Sequence, residues 1–283
     1  MMMTAPVAQR VWFITGATSG FGRQLASAAV AAGDVVIAAG RHVDRLDDLV
    51  AAHPDQVEPL RVDVADTAAA VAALNDAVAR YGRLDVLVNN AGRTQVGALE
   101  ETTDAELREL FELHFFAPAA LTRAALPHMR ARGGGAVVQM SSVGGQVPGP
   151  GFGAYCATKF ALEGLTETLA LEVDFGVRFL IVEPGAFRTN LFGANAAYLS
   201  QPITEYAATV GPTRDYVTTG GGTQPGDPAK AAAAIVAALD AERTPLRLPL
   251  GSDAVDSILE HLHAVEAELR QWEQAARHTT FDD

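Results

Sequence analysis

The sequence predicts an α/β fold in which strands alternate with helices along the chain. Short apolar and β-branched runs alternate with longer Ala- and Leu-rich segments of helical pattern between residues 11 and 250. A glycine-rich turn directly follows the first of these runs. The 283 residues are within the size of one large α/β domain, although length alone would also allow two, and 49% of them are hydrophobic. We therefore expect a single domain with a substantial core.

Composition and charge argue against several classes of partner. The formal net charge of -13 disfavours nucleic acid and anionic membrane, because both need a cationic surface. The single cysteine, Cys156, excludes an internal disulfide framework and a cysteine-based metal cluster. The first ten residues lack a signal-peptide pattern, and no apolar run approaches the roughly 20 residues that span a bilayer. We expect a cytoplasmic protein without a metal site.

The first predicted unit consists of a strand, a glycine turn and a helix. The strand is Val11–Thr15, the helix covers residues 23–32, and the turn reads Gly16-Ala-Thr-Ser-Gly20-Phe-Gly22. Glycines let the backbone approach a pyrophosphate, and a helix N-terminus offers free N–H groups to it. The spacing differs from the commonest dinucleotide fingerprint, so a plain tight turn is the alternative. Its position after a first strand favours a phosphate-binding unit.

The end of the second predicted strand, residues 34–39, indicates which dinucleotide would bind. An acid often stands there to hold the ribose 2′-hydroxyl. Here Gly40 takes that place and Arg41 follows it. An arginine can pair with a 2′-phosphate, which an acid would repel. NADP(H) is therefore favoured over NAD(H), and a solvated surface arginine is the alternative.

The middle of the chain continues the alternation. The predicted elements are strand 57–62, helix 66–81, strand 84–88, a long helix 103–130 and strand 136–140. Asp63 is expected either to accept from an adenine amine or to cap the next helix. The small residues of Asn89-Asn90-Ala91-Gly92 suit a close approach to a cofactor, with a plain turn as the alternative. Thr102 or Thr103 with Glu106 predicts a capping box.

Pro118 lies inside the long helix. Because proline has no N–H, the carbonyl of His114 loses its helical donor. An unpaired carbonyl in a helix is a natural place for a water molecule, and a simple kink is the alternative.

Ser142, Tyr155 and Lys159 form the predicted catalytic group. Tyr155 and Lys159 are one helical turn apart, and a Gly- and Pro-rich segment turns the chain back from Ser142. A neighbouring cation lowers the pKa of a phenol from about 10 towards the range of acid–base catalysis. The serine hydroxyl can hold a substrate oxygen. Taken alone, Tyr-x-x-x-Lys is more often an ordinary surface pair, so the other motifs carry the catalytic interpretation.

The last third of the chain adds a long irregular segment at residues 190–227. A loop of this length is usually functional, and its apolar side chains suggest a lid over an apolar ligand. Short helices packed on the core are the alternative, and both interpretations could hold. Strand 177–182 precedes this segment; helix 228–241, strand 246–250 and a closing helix from Ser252 to about Arg277 complete the predicted elements.

Over about residues 10–250 these motifs resemble the short-chain dehydrogenase/reductase family, in a style similar to bacterial relatives of the 17β-hydroxysteroid dehydrogenases. The resemblance implies one Rossmann-type doubly wound domain over residues 1–283, with a seven-stranded parallel sheet flanked by helices. A substrate-loop insertion at about 190–227 and a helical extension at about 252–278 complete it. The motifs are Thr15-Gly16-x-x-x-Gly20-x-Gly22, Asn89-Asn90-Ala91-Gly92, Ser142 thirteen residues before Tyr155, Tyr155-x-x-x-Lys159 and Pro184-Gly185.

The resemblance also implies hydride transfer between NADP(H) and a fairly apolar ketone or secondary alcohol. Tyr155 would be the acid/base, Ser142 would orient the substrate oxygen, and Lys159 would bind the nicotinamide ribose. A homodimer or homotetramer is implied. The expected substrate contacts are Ser142, Val143, Phe152, Tyr155, Phe192 and Tyr198. The expected cofactor contacts are Gly16, Thr18, Ser19, Gly20, Phe21, Gly22, Arg41, Asp63, Val64, Asn90, Ala91, Gly92, Tyr155, Lys159, Pro184, Gly185, Phe187 and Thr189.

His114 departs from the family pattern, which usually has asparagine at this position. In the family the main-chain carbonyl there holds a water that links the active-site lysine to solvent. Every residue has a carbonyl, so we expect His114 to keep this catalytic role, with its imidazole altering the pH response or the shape of the site. The alternative function, supported by this substitution alone, is a dinucleotide-binding regulatory protein with little or no turnover.

Overall fold

The structure, a computed structural model, describes residues 9–192 and 197–281, and a parallel sheet forms its centre. Within these residues seven strands pair in parallel, and two short strands form a separate sheet. The predicted α/β class with a parallel sheet is confirmed. In chain order the strands are β1 (Val11–Thr15), β2 (Val35–Gly40), β3 (Val57–Arg61), β4 (Val86–Asn89), β5 (Gln95–Val96), β6 (Gly135–Met140), β7 (Val177–Pro184), β8 (Tyr198–Leu199) and β9 (Arg247–Leu250).

Helices cover both faces of the main sheet. They are α1 (Gly20–Ala31), α2 (Asp47–Ala52), α3 (Thr67–Tyr81), α4 (Asp104–Phe111), α5 (Ala117–Arg132), α6 (Gly153–Glu172), α7 (Ala207–Thr219), α8 (Pro228–Asp240) and α9 (Ser252–Arg277). Alternate residues of β1 belong to opposite cores, because successive side chains of a strand point to opposite faces. Trp12 and Ile14 pack with α1 and α8, whereas Val11 and Phe13 pack with α3 and α5.

The strand order places the predicted motifs at one edge of the sheet. The order is β3-β2-β1-β4-β6-β7-β9, so the chain changes sides between β1 and β4. Ligands of open parallel sheets bind at the carboxyl ends of the strands at such a point. The glycine turn follows β1 and the Asn89-to-Gly92 turn follows β4. The two turns therefore meet at this crevice.

The predicted helix 103–130 is interrupted. A π-helical segment, Glu112–Phe116, separates α4 from α5, and the Ala117 N–H donates to the Glu112 carbonyl five residues earlier. Pro118 cannot donate a hydrogen bond, so an unbroken α-helical ladder is impossible at this point. The capping box is confirmed at Thr103, whose side chain and backbone both bond to Glu106.

Part of the irregular segment 190–227 is ordered into short elements. It contains β8, a 3₁₀ turn at Thr204–Tyr206 and α7, while residues 193–196 lie outside the described residues. Val210 and Val217 of α7 are buried against Val96 of β5. Short elements packed on the body of the protein are therefore present in this segment.

Two expectations concern the chain ends and the membrane. Most of the N-terminal stretch used against a signal peptide, residues 1–8, lies outside the described residues. Across residues 9–192 and 197–281, no helix is both long enough and apolar enough to span a bilayer.

Candidate active site

The glycine turn after β1 forms a cradle that leaves no space for a side chain at Gly16 or Gly22. Gly16 and Gly20 have positive φ angles of 64° and 53°, which favour glycine. A Cβ atom at Gly16 would lie 2.9 Å from the Ala91 Cα atom. The helix α1 begins at Gly20, so its free N–H groups face this turn. Free backbone N–H groups and closely approaching glycines are what a phosphate site needs, and phosphate binding at this turn stays a prediction.

The turn after β4 is bonded directly to this cradle. Asn90 Nδ2 donates to the carbonyl of Thr15 at 2.8 Å. The Thr15 hydroxyl accepts from the backbone N–H groups of Asn90 and Ala91 at 2.9 and 3.0 Å. It also donates to the Val88 carbonyl at 3.2 Å. Thr15 thus holds the carboxyl ends of β1 and β4 together, a role that its place in the motif alone does not reveal.

Arg41 lies at the carboxyl end of β2, beside the glycine turn. A Cβ atom at Gly40 would lie 2.7 Å from Thr18 Cγ2, which shows how close the two segments are. The side chain of Arg41 is 64% exposed, and its guanidinium is 3.9 Å from the Asp63 carboxylate. Val64, which follows Asp63, is buried. Arg41 therefore has an exposed guanidinium that is only loosely paired, beside the glycine turn.

The segment after β7 also reaches the glycine turn. A Cβ atom at Gly20 would lie 3.4 Å from Thr189 Cβ. Phe187 is buried, and its ring centroid lies 5.1 Å from that of Phe21. The N–H of Gly185, which follows Pro184 at the end of β7, donates to a carbonyl of β9 at 2.9 Å. Thr189 is thus close to the turn, whereas the rings of Phe21 and Phe187 pack against each other.

Ser142, Tyr155 and Lys159 are brought together at the carboxyl end of β6. The Lys159 ammonium donates to the Met140 carbonyl at 2.8 Å and lies 5.7 Å from the centre of the Tyr155 ring. The Ser142 hydroxyl accepts from the Gly144 N–H at 3.1 Å. A Cβ atom at Gly144 would be 3.3 Å from the Tyr155 ring, so the turn that carries Ser142 packs on the phenol.

The pKa of Tyr155 shifts in the direction opposite to the one expected from the sequence. Burial raises the pKa of the phenol to about 12, and the neighbouring Ser142 hydroxyl only partly opposes this. Burial also lowers the pKa of Lys159 to about 8, against the attraction of Glu163. The cation is bonded to the Met140 carbonyl and is itself desolvated. Desolvation therefore outweighs the expected effect of the neighbouring charge.

His114 is buried next to Tyr155, at the centre of the π-helical segment. The two rings are 5.6 Å apart and meet edge to face. The imidazole Nε2 accepts from the Arg93 N–H at 3.2 Å, and Nδ1 lies 3.0 Å from the Thr158 hydroxyl. Sequence reasoning did not single out Arg93 or Thr158. The departure from asparagine at His114 was the available signal, but its partners are 21 and 44 residues away.

The predicted substrate residues fall into two groups. Phe152 lies 6.0 Å from Tyr155 and packs, with Phe192, against the buried valines of β5 and α7. Val143 begins the turn after Ser142. Tyr198, by contrast, is 45% exposed, and the Arg93 guanidinium lies 4.0 Å from its ring centroid. An apolar surface thus extends from Tyr155 through Phe152, while Tyr198 stacks against a cation.

Comparisons with known proteins agree with this architecture. The sequence matches the family model described as short chain dehydrogenase over residues 10–198. It is 32% identical to the oxidoreductase BOA17 of Botryotinia fuckeliana over 269 residues, which cover 94% of this chain and 97% of the relative. The structure of a short-chain dehydrogenase from Streptomyces avermitilis is 60% identical, with a TM-score of 0.90, and the match covers 96% of this chain and 99% of that one. A metagenomic short-chain oxidoreductase in complex with NADP is 33% identical, with a TM-score of 0.60 and coverage of 65% and 86%.

Proposed function

This chain belongs to the short-chain dehydrogenase/reductase family, and from this premise we propose that it is an NADP(H)-dependent reductase of fairly apolar ketones, or a dehydrogenase of the corresponding secondary alcohols. Family membership makes it an oxidoreductase that uses a nicotinamide dinucleotide. The observation that carries the finer proposal is the grouping of Ser142, Tyr155 and Lys159 at the carboxyl end of β6, the same edge of the sheet as the glycine turn.

The cofactor supplies or accepts a hydride when it is bound, and the residues of this chain would hold it at the crevice. The glycine turn and the N-terminus of α1 would bind the pyrophosphate. Arg41 would bind the 2′-phosphate, and Lys159 the nicotinamide ribose. The adenine side would rest on Asp63, Val64 and Asn90, and the carboxamide on Thr189. The NADP complex of the metagenomic relative supports the choice of this cofactor.

Ser142 and Tyr155 would act on the substrate oxygen. The serine hydroxyl holds the oxygen, and the phenol donates its proton to it as a ketone becomes an alcohol. A phenol with a pKa of about 12 keeps its proton at neutral pH, which suits the acid role. Phe152 and the apolar cluster behind it support an apolar substrate.

Assembly and location complete the proposal. We infer a cytoplasmic homodimer or homotetramer with one domain per chain. By the same resemblance, the interface would be built partly from the long helices predicted at residues 103–130 and 154–175. The acidic net charge of -13 supports a small-molecule substrate over nucleic acid.

The function is tested by following NADPH oxidation with a panel of apolar ketones. We expect the wild type to turn over part of the panel, and Tyr155→Phe to lose about 100-fold or more in kcat. Nucleotide affinity, measured by fluorescence titration, should persist in the variant. Tyr81→Phe is a matched control, since burial also raises the pKa of Tyr81 to about 12 although it lies on α3.

Two results would contradict the proposal. Wild-type turnover by Tyr155→Phe would remove this phenol from the chemistry. NADPH binding without turnover across the whole panel would favour the regulatory alternative that the His114 substitution raised.

A further inference from the structure

The His114 side chain joins two parts of the candidate active site. It is only 1% exposed. On one side the backbone N–H of Arg93, just after the Asn89-to-Gly92 turn, donates to Nε2 at 3.2 Å. On the other side Nδ1 contacts the Thr158 hydroxyl at 3.0 Å, and this hydroxyl donates to the Tyr155 carbonyl at 2.7 Å. A continuous chain of hydrogen bonds therefore runs from the residue that follows the Asn89-to-Gly92 turn to the backbone carbonyl of Tyr155.

The donors and acceptors of this chain fit one form of the imidazole. Nε2 accepts a hydrogen bond, so it carries no proton. The Thr158 hydroxyl donates its single proton to the Tyr155 carbonyl, because a carbonyl can only accept. Nδ1 must then carry the ring proton and donate it to Thr158. A doubly protonated ring would instead place a donor at Nε2 against the Arg93 N–H.

The surroundings of His114 favour this neutral form. Burial holds the pKa of His114 well below its ordinary value, and the positive charges of Lys159 and Arg93 add to the effect. Space for the ring comes from a glycine, because a Cβ atom at Gly92 would lie 3.1 Å from Nε2. The ring also meets the Tyr155 ring edge to face. The buried imidazole is therefore neutral, and it joins the two segments through its hydrogen bonds.

We propose that His114 is a positioning residue that acts through Thr158. Its neutral imidazole fixes the first turn of α6, which carries the Tyr155 phenol, relative to the Asn89-to-Gly92 turn, which would contact the cofactor. This role belongs to the side chain and is separate from the one expected of the His114 main-chain carbonyl. It rests on the proposed function, because a fixed distance between phenol and cofactor matters only if the site performs chemistry.

The kinetic test uses variants that keep shape and remove hydrogen bonds. His114→Phe keeps a ring but loses both bonds, and Thr158→Val keeps the volume but loses the hydroxyl. We expect each to lower kcat by about 10- to 100-fold, because small misplacement of reacting groups is costly, while the Kd of NADPH changes little. The double variant should fall no further than the lower single variant, because both remove one connection. Thr158→Ser should restore kcat.

Thr166→Val is the matched control on the same helix. Thr166 is fully buried, and its hydroxyl donates to the Leu162 carbonyl at 2.7 Å, two turns after Thr158. We expect this variant to change stability but not kcat. Wild-type kcat in His114→Phe or Thr158→Val would overturn the proposal, as would independent, multiplying losses in the double variant.

The connection itself can be measured without turnover. Imidazole ¹⁵N NMR should show His114 as the neutral Nδ1–H form between about pH 6 and 8. Amide exchange at Arg93 should be faster in His114→Phe than in the wild type. A charged ring, the Nε2–H form or unchanged exchange would overturn the connection. If the wild type reduced no ketone, the proposed function would fail while these measurements still decided the connection.

Discussion

Burial disfavours the charged forms of both Tyr155 and Lys159, which lie one turn apart on α6. Burial raises the pKa of the phenol to about 12 and lowers that of the ammonium to about 8. The phenol consequently holds its proton over the whole neutral range. Lysine, in contrast, titrates close to neutrality. Near neutral pH, stability should therefore depend on the protonation of Lys159 but not on that of Tyr155.

Lys159 should make stability depend on pH above neutrality. Its pKa is about 8 in the folded protein, below the ordinary lysine value of 10.5, so the unfolded chain binds more protons between these values. The free energy of unfolding should then rise with pH from about 8 to 10. In urea unfolding at several pH values, the free energy of unfolding of the wild type should rise relative to that of Lys159→Met over this range. Lys230→Met, on the exposed side of α8, is the control. A flat difference for Lys159→Met would contradict the expected shift.

Arg41 should decide between the two nicotinamide dinucleotides. Its guanidinium is exposed and only loosely paired with Asp63, so it is available to a 2′-phosphate. Loss of a charge-assisted bond in Arg41→Ala should weaken NADPH binding by about ten-fold or more and leave NADH binding nearly unchanged. Titration of both nucleotides measures this, with NADH as the internal control. Equal losses for the two nucleotides would mean that Arg41 does not read the phosphate.

Among the elements, the helical stretch from Asp104 to Arg132 contains three local features that its residues explain: a cap, a π-helical segment and a proline. It starts at a capping box, passes through the π-helical segment and continues as α5. π-Helical turns are often found at functional sites, and this one holds His114. The proline that interrupts the ladder and the buried imidazole thus belong to the same short segment.

The capping box at Thr103 should contribute measurably to stability. Thr103 Oγ1 accepts from the Glu106 N–H at 3.2 Å, and the Thr103 N–H donates to the Glu106 carboxylate at 2.7 Å. Thr103→Ala should lower the free energy of unfolding by about 1 kcal/mol. Thr168→Ala, at an exposed position inside α6, is the control and should be close to neutral. Equal changes in the free energy of unfolding for the two substitutions would show that the capping box does not stabilise the protein.

At the scale of the whole molecule, a cluster of charged groups ties the last strand to the candidate site. Arg247 of β9 bonds to the buried carboxylates of Glu163 on α6, at 2.5 Å, and of Glu183 on β7. Glu163 also accepts from the Ser141 hydroxyl, next to Ser142. Side chains of β9, α6 and β7 and of Ser141, which follows β6, therefore meet behind the Ser142 turn.

Removal of Arg247 should be severely destabilising. Arg247→Leu leaves two buried carboxylates without their cation, which typically costs about 3–5 kcal/mol. Urea unfolding would measure the loss, and Arg243→Leu, at an exposed position just before β9, is the control. A loss below about 1 kcal/mol would show that the cluster is not a structural tie.

The C-terminal helix α9 is bonded at its start to the segment after β7. Asp253 accepts from the Ala186 N–H at 2.6 Å, and Ala254 and Ile258 are buried. Further along, large apolar side chains are 47–64% exposed. These are Leu259, Leu262, Val265, Leu269 and Trp272. The proposed oligomer and the single domain remain predictions.

The seven strands of the main sheet, the glycine turn and the nearness of Ser142, Tyr155 and Lys159 could be predicted from the sequence, whereas the short elements α2, β5 and β8 were not predicted. Each predicted feature follows from local rules: side-chain periodicity, the positive φ angle at Gly16 and the spacing of one helical turn. The closing helix was predicted with the bounds that α9 has, Ser252–Arg277. Local patterns were sufficient where neighbours in the chain are also neighbours in space.

The partners of His114, the Arg247 cluster and the direction of the Tyr155 pKa shift could be read only from the folded chain. His114 bonds to groups 21 and 44 residues away, and Arg247 to a carboxylate 84 residues away. The pKa of Tyr155 depends on burial, which all the elements around the phenol produce together. Hydrogen-bond partners and desolvation depend on contacts distant in sequence, and the fold alone creates those contacts.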